Sequence, residues 1–321
     1  MKSFLFIVIM LVVFSISPGC NNKEESVEGF GSNPEGRIAL TVSTDIAPAL
    51  RSARQGSISA FIKNDQLGLF ITDGNIDNDY SGMGISKNLM CYNLDGNTWK
   101  FWAQYFLSGN PATVFAYYPY KDGWENPRRI PVEHNSQTDY MYGTHTPRQN
   151  PINRNNPVVN LTMKHALSLV QFNIRSFAYP GKCLLNKIEI ANAEGKSVFY
   201  SEGTMDISTG KITYTSGKNE PIILQNEKTG ILQDIPDSPH FDQSVYPKAM
   251  VMPLQAFEKY GDLVIRFTIN GRVYTRNVTN GAEWKAGTKN TYTVNVTGQD
   301  LQIEQVTIED WIPGLDDMFY L

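Results

Sequence analysis

No stretch of this 321-residue chain keeps apolar residues at helical spacing for three turns. Apolar residues instead return at every second position in short runs. Leu263, Ile265, Phe267 and Ile269 alternate up to Asn270-Gly271, after which Val273 and Tyr274 resume. Period-two alternation puts one face of a strand on a core, and Asn-Gly between two strands is the strongest short hairpin signal because both residues tolerate positive φ. Similar runs lie at 38–42, 58–62, 67–72, 99–106, 112–118, 170–174, 185–191, 197–200, 211–215, 245–252 and 292–296. In the last run Leu301 and Ile303 fall on one face by parity and Val306 and Ile308 on the other, so a bulge near Gln305 is needed to restore one buried face. Many short strands separated by turns predict an all-β chain built of two β-sandwich domains.

Composition agrees with that class and excludes others. Apolar residues make up 41% and charged residues only 19%, which suits strands and turns better than charged surface helices. Net charge is −4 and no long basic run occurs. Nucleic acid is therefore not an expected partner, since binding it requires clustered Lys and Arg.

The start of the chain carries an export signal. Lys2 precedes an apolar run over residues 4–14, shorter than the roughly 20 residues of a membrane span. Ser15-Ile16-Ser17-Pro18-Gly19-Cys20 follows. Small residues before a cysteine resemble a bacterial lipobox, in which Cys20 is acylated and becomes the new N-terminus after residues 1–19 are removed. More than one acyl chain gives stable anchoring. Lys23-Glu24-Glu25 then resembles the surface-export signal of Bacteroidales lipoproteins, within a polar tether at 20–36. The expected location is the outer membrane, exposed at the surface. Cys91 and Cys183 are expected as buried free thiols in different domains.

Residues 143–157 hold three Pro and five Asn or Gln. They read as a link, giving domains at 37–157 and 158–321.

No sequence motif supplies enzyme chemistry. A nucleophile elbow, a phosphate loop and a dinucleotide fingerprint are all missing from the sequence. His134, His145, His165 and His240 have no metal-ligand spacing. Asp73-Gly74-Asn75-Ile76-Asp77-Asn78-Asp79 places oxygen ligands at alternate positions, but Asn78 and Gly84 stand where a calcium loop has Gly and Glu. It reads as an acidic turn, and neither cofactor nor metal is expected. Trp99, Phe101, Trp102, Tyr105, Tyr117, Tyr118, Tyr120 and Trp124 are clustered in sequence. An exposed pair near Trp102 or Trp124 would stack on a glycan or another protein, although half the residues of any strand face a core.

Several of these segments together resemble the fimbrillin-like (Mfa-like) proteins of Bacteroidales, which include type V pilus subunits. Phe61 with Phe70 (FIKNDQLGLF), the Phe115-Ala116-Tyr117-Tyr118-Pro119-Tyr120 strand, His165-Ala166-Leu167-Ser168 before Val170-Gln171-Phe172, Trp284-Lys285-Ala286-Gly287, and Val306-Thr307-Ile308-Glu309-Asp310-Trp311 occur in the family's order. The resemblance implies two tandem transthyretin-like sandwiches and a fimbrial, adhesive role. For some members it also implies that an arginine-specific protease removes the first strand, whose groove then takes a strand from another subunit. Ile38, Leu40 and Val42 would form that displaced strand, and Arg51 or Arg54 the cut. Only ten residues follow Trp311. A donor strand would thus be Leu301, Ile303, Val306 and Ile308; otherwise the chain is a tip, anchor or non-polymerising relative. The alternative role is a surface lipoprotein that binds glycan or host protein without polymerising.

Overall fold

The computed structural model describes residues 38–46, 60–80, 87–96, 98–102, 104–145, 151–238, 242–254, 261–278 and 282–311. The chain is all-β, with sheets packed as sandwiches. Its first ten strands are β1 (Ile38–Ala39), β2 (Thr41–Ile46), β3 (Gln66–Thr72), β4 (Leu89–Asn93), β5 (Trp99–Phe101), β6 (Phe106–Leu107), β7 (Thr113–Tyr118), β8 (Ile130–Glu133), β9 (Met141–His145) and β10 (Val158–His165). Seven of them form one sheet in the order β2-β10-β9-β7-β3-β4-β5. Its strands turn Val42, Val159, Leu161, Met163, Met141, Val114, Ala116, Leu67, Leu69, Leu89, Cys91 and Trp99 into one cluster. A sheet whose members all face the same core must curl over it. The curl brings the two end strands together, where Trp99 Nε1 donates to Thr44 Oγ1 at 2.8 Å.

The second half contributes β11 (Ser168–Ser176), β12 (Leu184–Asn192), β13 (Glu202–Asp206), β14 (Lys211–Tyr214), β15 (Ile222–Gln225), β16 (Gln233–Asp234), β17 (Lys248–Val251), β18 (Leu263–Ile269), β19 (Arg272–Asn277), β20 (Thr288–Val296) and β21 (Leu301–Asp310). A sheet ordered β17-β11-β20-β21 faces one ordered β15-β12-β18-β19, with β16 also on β12. Val170, Phe172 and Ile174 of the first sheet pack against Ile188, Ile190, Ile265 and Phe267 of the second. Phe172 meets Phe267 edge to face at 5.5 Å, a favoured aromatic geometry. The β18–β19 turn follows the sequence: Asn270 and Gly271 both have positive φ, 46° and 79°.

The two halves share structure where the sequence suggested a link. Residues 141–145 are strand β9, and β10 pairs with β2 and β9 in the first sheet. The expected boundary at 157/158 therefore moves beyond His165, because the alternation of Val159, Leu161 and Met163 belongs to the first core. Only Ala166 and Leu167 separate β10 from β11. In addition, β8 leaves the first sheet and pairs with β13, which pairs with β14, a ladder joining both halves. Phe70, Phe115, Tyr117 and Ile130 from one side meet Leu169, Met205, Met250 and Trp311 from the other in a third apolar cluster.

The runs at 197–200 and 60–62 are not strands, and 99–106 divides into β5 and the start of β6. The expected bulge is present. Gln305 lies opposite Thr293 and Ile303 opposite Val294, leaving Glu304 as the extra residue.

Candidate functional site

The first strand sits where it closes a core. β1 pairs antiparallel with β6, and β2 runs parallel to β10. Between them Leu40 N donates to Tyr105 O at 2.8 Å and Thr41 N to Pro157 O at 2.9 Å. Leu40 and Val42 are only 5% and 4% exposed, while Thr41 and Ser43 face outward. Burying two such side chains contributes roughly 1.5–3 kcal/mol each. Taking the strand away would uncover Val159, Leu161 and Met163 and unpair one edge of β10. Ile38 lies in β1 on the strand's register. Cys20, Lys23, Glu24, Glu25, Arg51 and Arg54 lie outside the described residues.

At the other end of the chain β21 occupies the edge of its own sheet. It pairs with β20 from Leu301 opposite Val296 to Asp310 opposite Thr288. With Glu304 bulged out, Leu301, Ile303, Val306 and Ile308 share the inward face. Cover along that face decreases: Leu301 is fully buried, Ile303 and Val306 are half-buried against the core, and Ile308 is 59% exposed. To act as a donor, β21 would have to leave this ladder.

A polar junction surrounds Trp311, the last described residue. His165 Nδ1 and Asp139 Oδ1 are 2.8 Å apart, both side chains buried. The His165 ring stacks on Trp311 at 4.2 Å. Nearby, Gln137 Nε2 donates to Met250 O and its Oε1 accepts from Met250 N. Asp77, from the acidic turn, points to Arg128, which also reaches Asp206 across the two halves. That guanidinium holds the Asp77 carboxyl below its usual range. Among the described residues no His, Cys, Asp and Glu group could hold a metal.

The aromatic residues do not build the expected exposed pair. Trp99 is buried edge-on against Phe61 at 5.1 Å, and Tyr105 packs on Phe101 at 5.0 Å. Tyr117 is buried, and its burial pushes the phenol up to about 12. Trp124 tilts against Tyr117 with the Lys121 ammonium 5.4 Å from its ring. Trp102 alone is open, at 82% exposure.

A cleft lies instead on the outer face of the β15-β12-β18-β19 sheet. Its volume is about 500 Å³, and Asn186, Lys187, Gln225, Asn226, Glu227, Gly230, Thr268 and Val273 line it. It forms because β12 has a register shift between Leu185 and Lys187, so two consecutive residues turn outward. Bulges re-aim side chains in this way. The turn after β15 makes one wall, held by Asn186 Nδ2 donating to Gly230 O at 2.7 Å. Sequence reasoning passed over this cleft. A signal was available, since Leu185 and Ile188 share the core although three residues apart, a spacing that demands a slip.

A family model described as "Fimbrillin-like" matches residues 53–311. No curated protein matches the chain in sequence. Among solved structures, a candidate cell adhesion protein from Bacteroides uniformis is 16% identical, with TM-score 0.60, covering 87% of this chain and 100% of that one. One from Bacteroides ovatus is 15% identical with TM-score 0.61, covering 87% and 99%. The tip fimbrial protein Mfa3 from Porphyromonas gingivalis is 9% identical over 86% of this chain and 100% of that one, with TM-score 0.49. At these identities the two Bacteroides structures speak for the fold alone. The family match spans most of the chain, from just past the first strand to Trp311, and on it the chain belongs to the fimbrillin-like family.

Proposed function

We propose that this protein reaches the surface as a lipoprotein precursor, held by lipid on Cys20 and exported through Lys23-Glu24-Glu25, and becomes a subunit of an adhesive fimbrium. It matures by proteolysis at Arg51 or Arg54 and accepts a strand from another subunit. One observation carries this reading. The strand that Leu40 and Val42 hold in the first core is an end strand, and its only covalent route to the rest of the sheet runs through 47–59, where both arginines lie. A cut there frees the strand without breaking any other strand among the described residues. The vacated groove offers unpaired backbone groups and apolar seats together, which is what strand addition requires.

Donation is a different matter. The β21 ladder and the buried Leu301 favour an acceptor whose own last strand stays at home, as an end subunit would. A non-polymerising binder is the second reading, and the open Trp102 favours it.

The test is limited digestion of residues 21–321 with an arginine-specific protease, followed by N-terminal sequencing and sizing. Cleavage after Arg51 or Arg54, loss of the 38–46 strand, and capture of a strand peptide supplied in trans support the acceptor role. A resistant chain, or a cut chain that keeps its first strand, removes it. Lipid labelling that persists in Cys20→Ala ends the anchor claim.

A further inference from the structure

We infer that Trp99 selects the strand that fills the first-strand seat. The occupant must carry two apolar residues at alternate positions and, two residues further on, a side-chain oxygen that accepts from the Trp99 indole. The inference deepens the strand-acceptor reading and rests on it for the arrival of a foreign strand. The same selection acts on the resident strand, so it can be measured without cleavage.

The backbone of the seat does not select. Leu40 N donates to Tyr105 O and Thr41 N to Pro157 O, and β10 offers six register pairs. Any strand without proline at the donating positions can make such bonds. The apolar seats select little more. Leu40 and Val42 are buried in one cluster with Val159, Leu161 and Met163. A slip by one residue turns the apolar side chains to solvent and is excluded. A slip by two residues keeps the alternation intact.

Trp99 removes the slip by two. Thr44 follows Leu40 and Val42 on the same face of β2, and its Oγ1 accepts from Trp99 Nε1 at 2.8 Å. Two residues of strand span about 6.6 Å, more than twice a hydrogen-bond length, so a slipped strand carries its acceptor out of reach. The donor also stands towards one end of the seat. A strand entered in reverse leaves its acceptor at the Tyr105 end.

The indole is held independently of the strand. Trp99 pairs through its backbone with Asn93, and its ring lies edge-on to Phe61 at 5.1 Å. With the seat filled, Trp99 is only 5% exposed. An occupant without an acceptor therefore buries the indole N–H unpaired, a loss of about tenfold in affinity.

The test is amide hydrogen exchange, read by mass spectrometry on segment 38–46 of the intact residues 21–321 form. The variants are Thr44→Val, which removes the acceptor and keeps the shape, Trp99→Phe, which removes the donor, and the two together. We expect Thr44→Val to speed exchange of 38–46 about tenfold, and to add nothing in the Trp99→Phe background. Equal acceleration by Thr44→Val in both backgrounds, or none in either, overturns the inference. On the arginine-cut chain, a peptide of residues 38–46 should bind about tenfold more tightly than the same peptide with Thr44→Val. Equal affinities overturn the inference as well. A cut chain that captures neither peptide removes the acceptor reading instead, and exchange in the intact chain still decides what Trp99 does.

Discussion

Gln137 and Met250 pair across the two halves as if Gln137 were a strand residue. Its side-chain Nε2 gives a hydrogen bond to Met250 O at 2.9 Å and its Oε1 takes one from Met250 N at 2.8 Å. The same Nε2 also donates to His134 O at 2.6 Å. Gln137 is 7% exposed, so replacement by Leu leaves buried backbone groups unmatched. Each such group costs about 1–3 kcal/mol. Gln137→Leu should lower stability by about 3 kcal/mol in urea unfolding, and both sandwiches should lose it together.

Leu40→Ala should destabilise the intact chain by about 2–3 kcal/mol, the low end for truncating a buried leucine. After cleavage and release of residues 38–46 the two proteins should be equally stable. A difference that survives cleavage would mean the first strand stays bound.

Acid should weaken the fold through His134. Burial pushes its pKa down to about 4, the Glu220 carbonyl only partly opposing this. The unfolded chain therefore takes up a proton that the folded chain refuses. Its contribution is complete above about pH 6.5 and is lost as pH falls towards 4. Thermal melts from pH 7 to pH 4 should fall less steeply for His134→Phe than for the parent.

Cys91 sits in the first core and Cys183 in the second, too separate for a bridge within one chain. Burial raises both thiols, Cys183 to about 11, so little thiolate is present at pH 8. In residues 21–321 neither should react with Ellman's reagent until denaturant is added, when two equivalents should appear.

Local signals in the sequence reported local structure faithfully. The alternation from Leu263 to Ile269, the Asn270-Gly271 turn and the parity slip that became the Glu304 bulge each depend on neighbours a few residues apart. The pairing of β8 with β13 was not legible, because Ile130-Pro131-Val132 carries no mark of which distant strand it will meet. The link was misplaced for a similar reason: proline and asparagine at 143–157 mask β9, and β10 alternates just as a second-domain strand would. The aromatic cluster misled in the opposite direction, since sequence gives the side chains but not the face that each strand turns to the core. The cleft needed both a bulge and a turn from another strand, so only folding brings Asn186 to Gly230.

The parallel pairing of β2 with β10 has a mechanical consequence. Beyond His165 the backbone passes through Ala166 and Leu167 straight into β11, which is itself parallel to β20 over eight register pairs. A pull on the chain ahead of Ile38, resisted by the second sandwich, drags β2 lengthwise along β10. Six register pairs then carry the load at the same time, as rungs in shear rather than teeth in a zipper, so a protein held by its leading end would resist tension until the whole ladder slips.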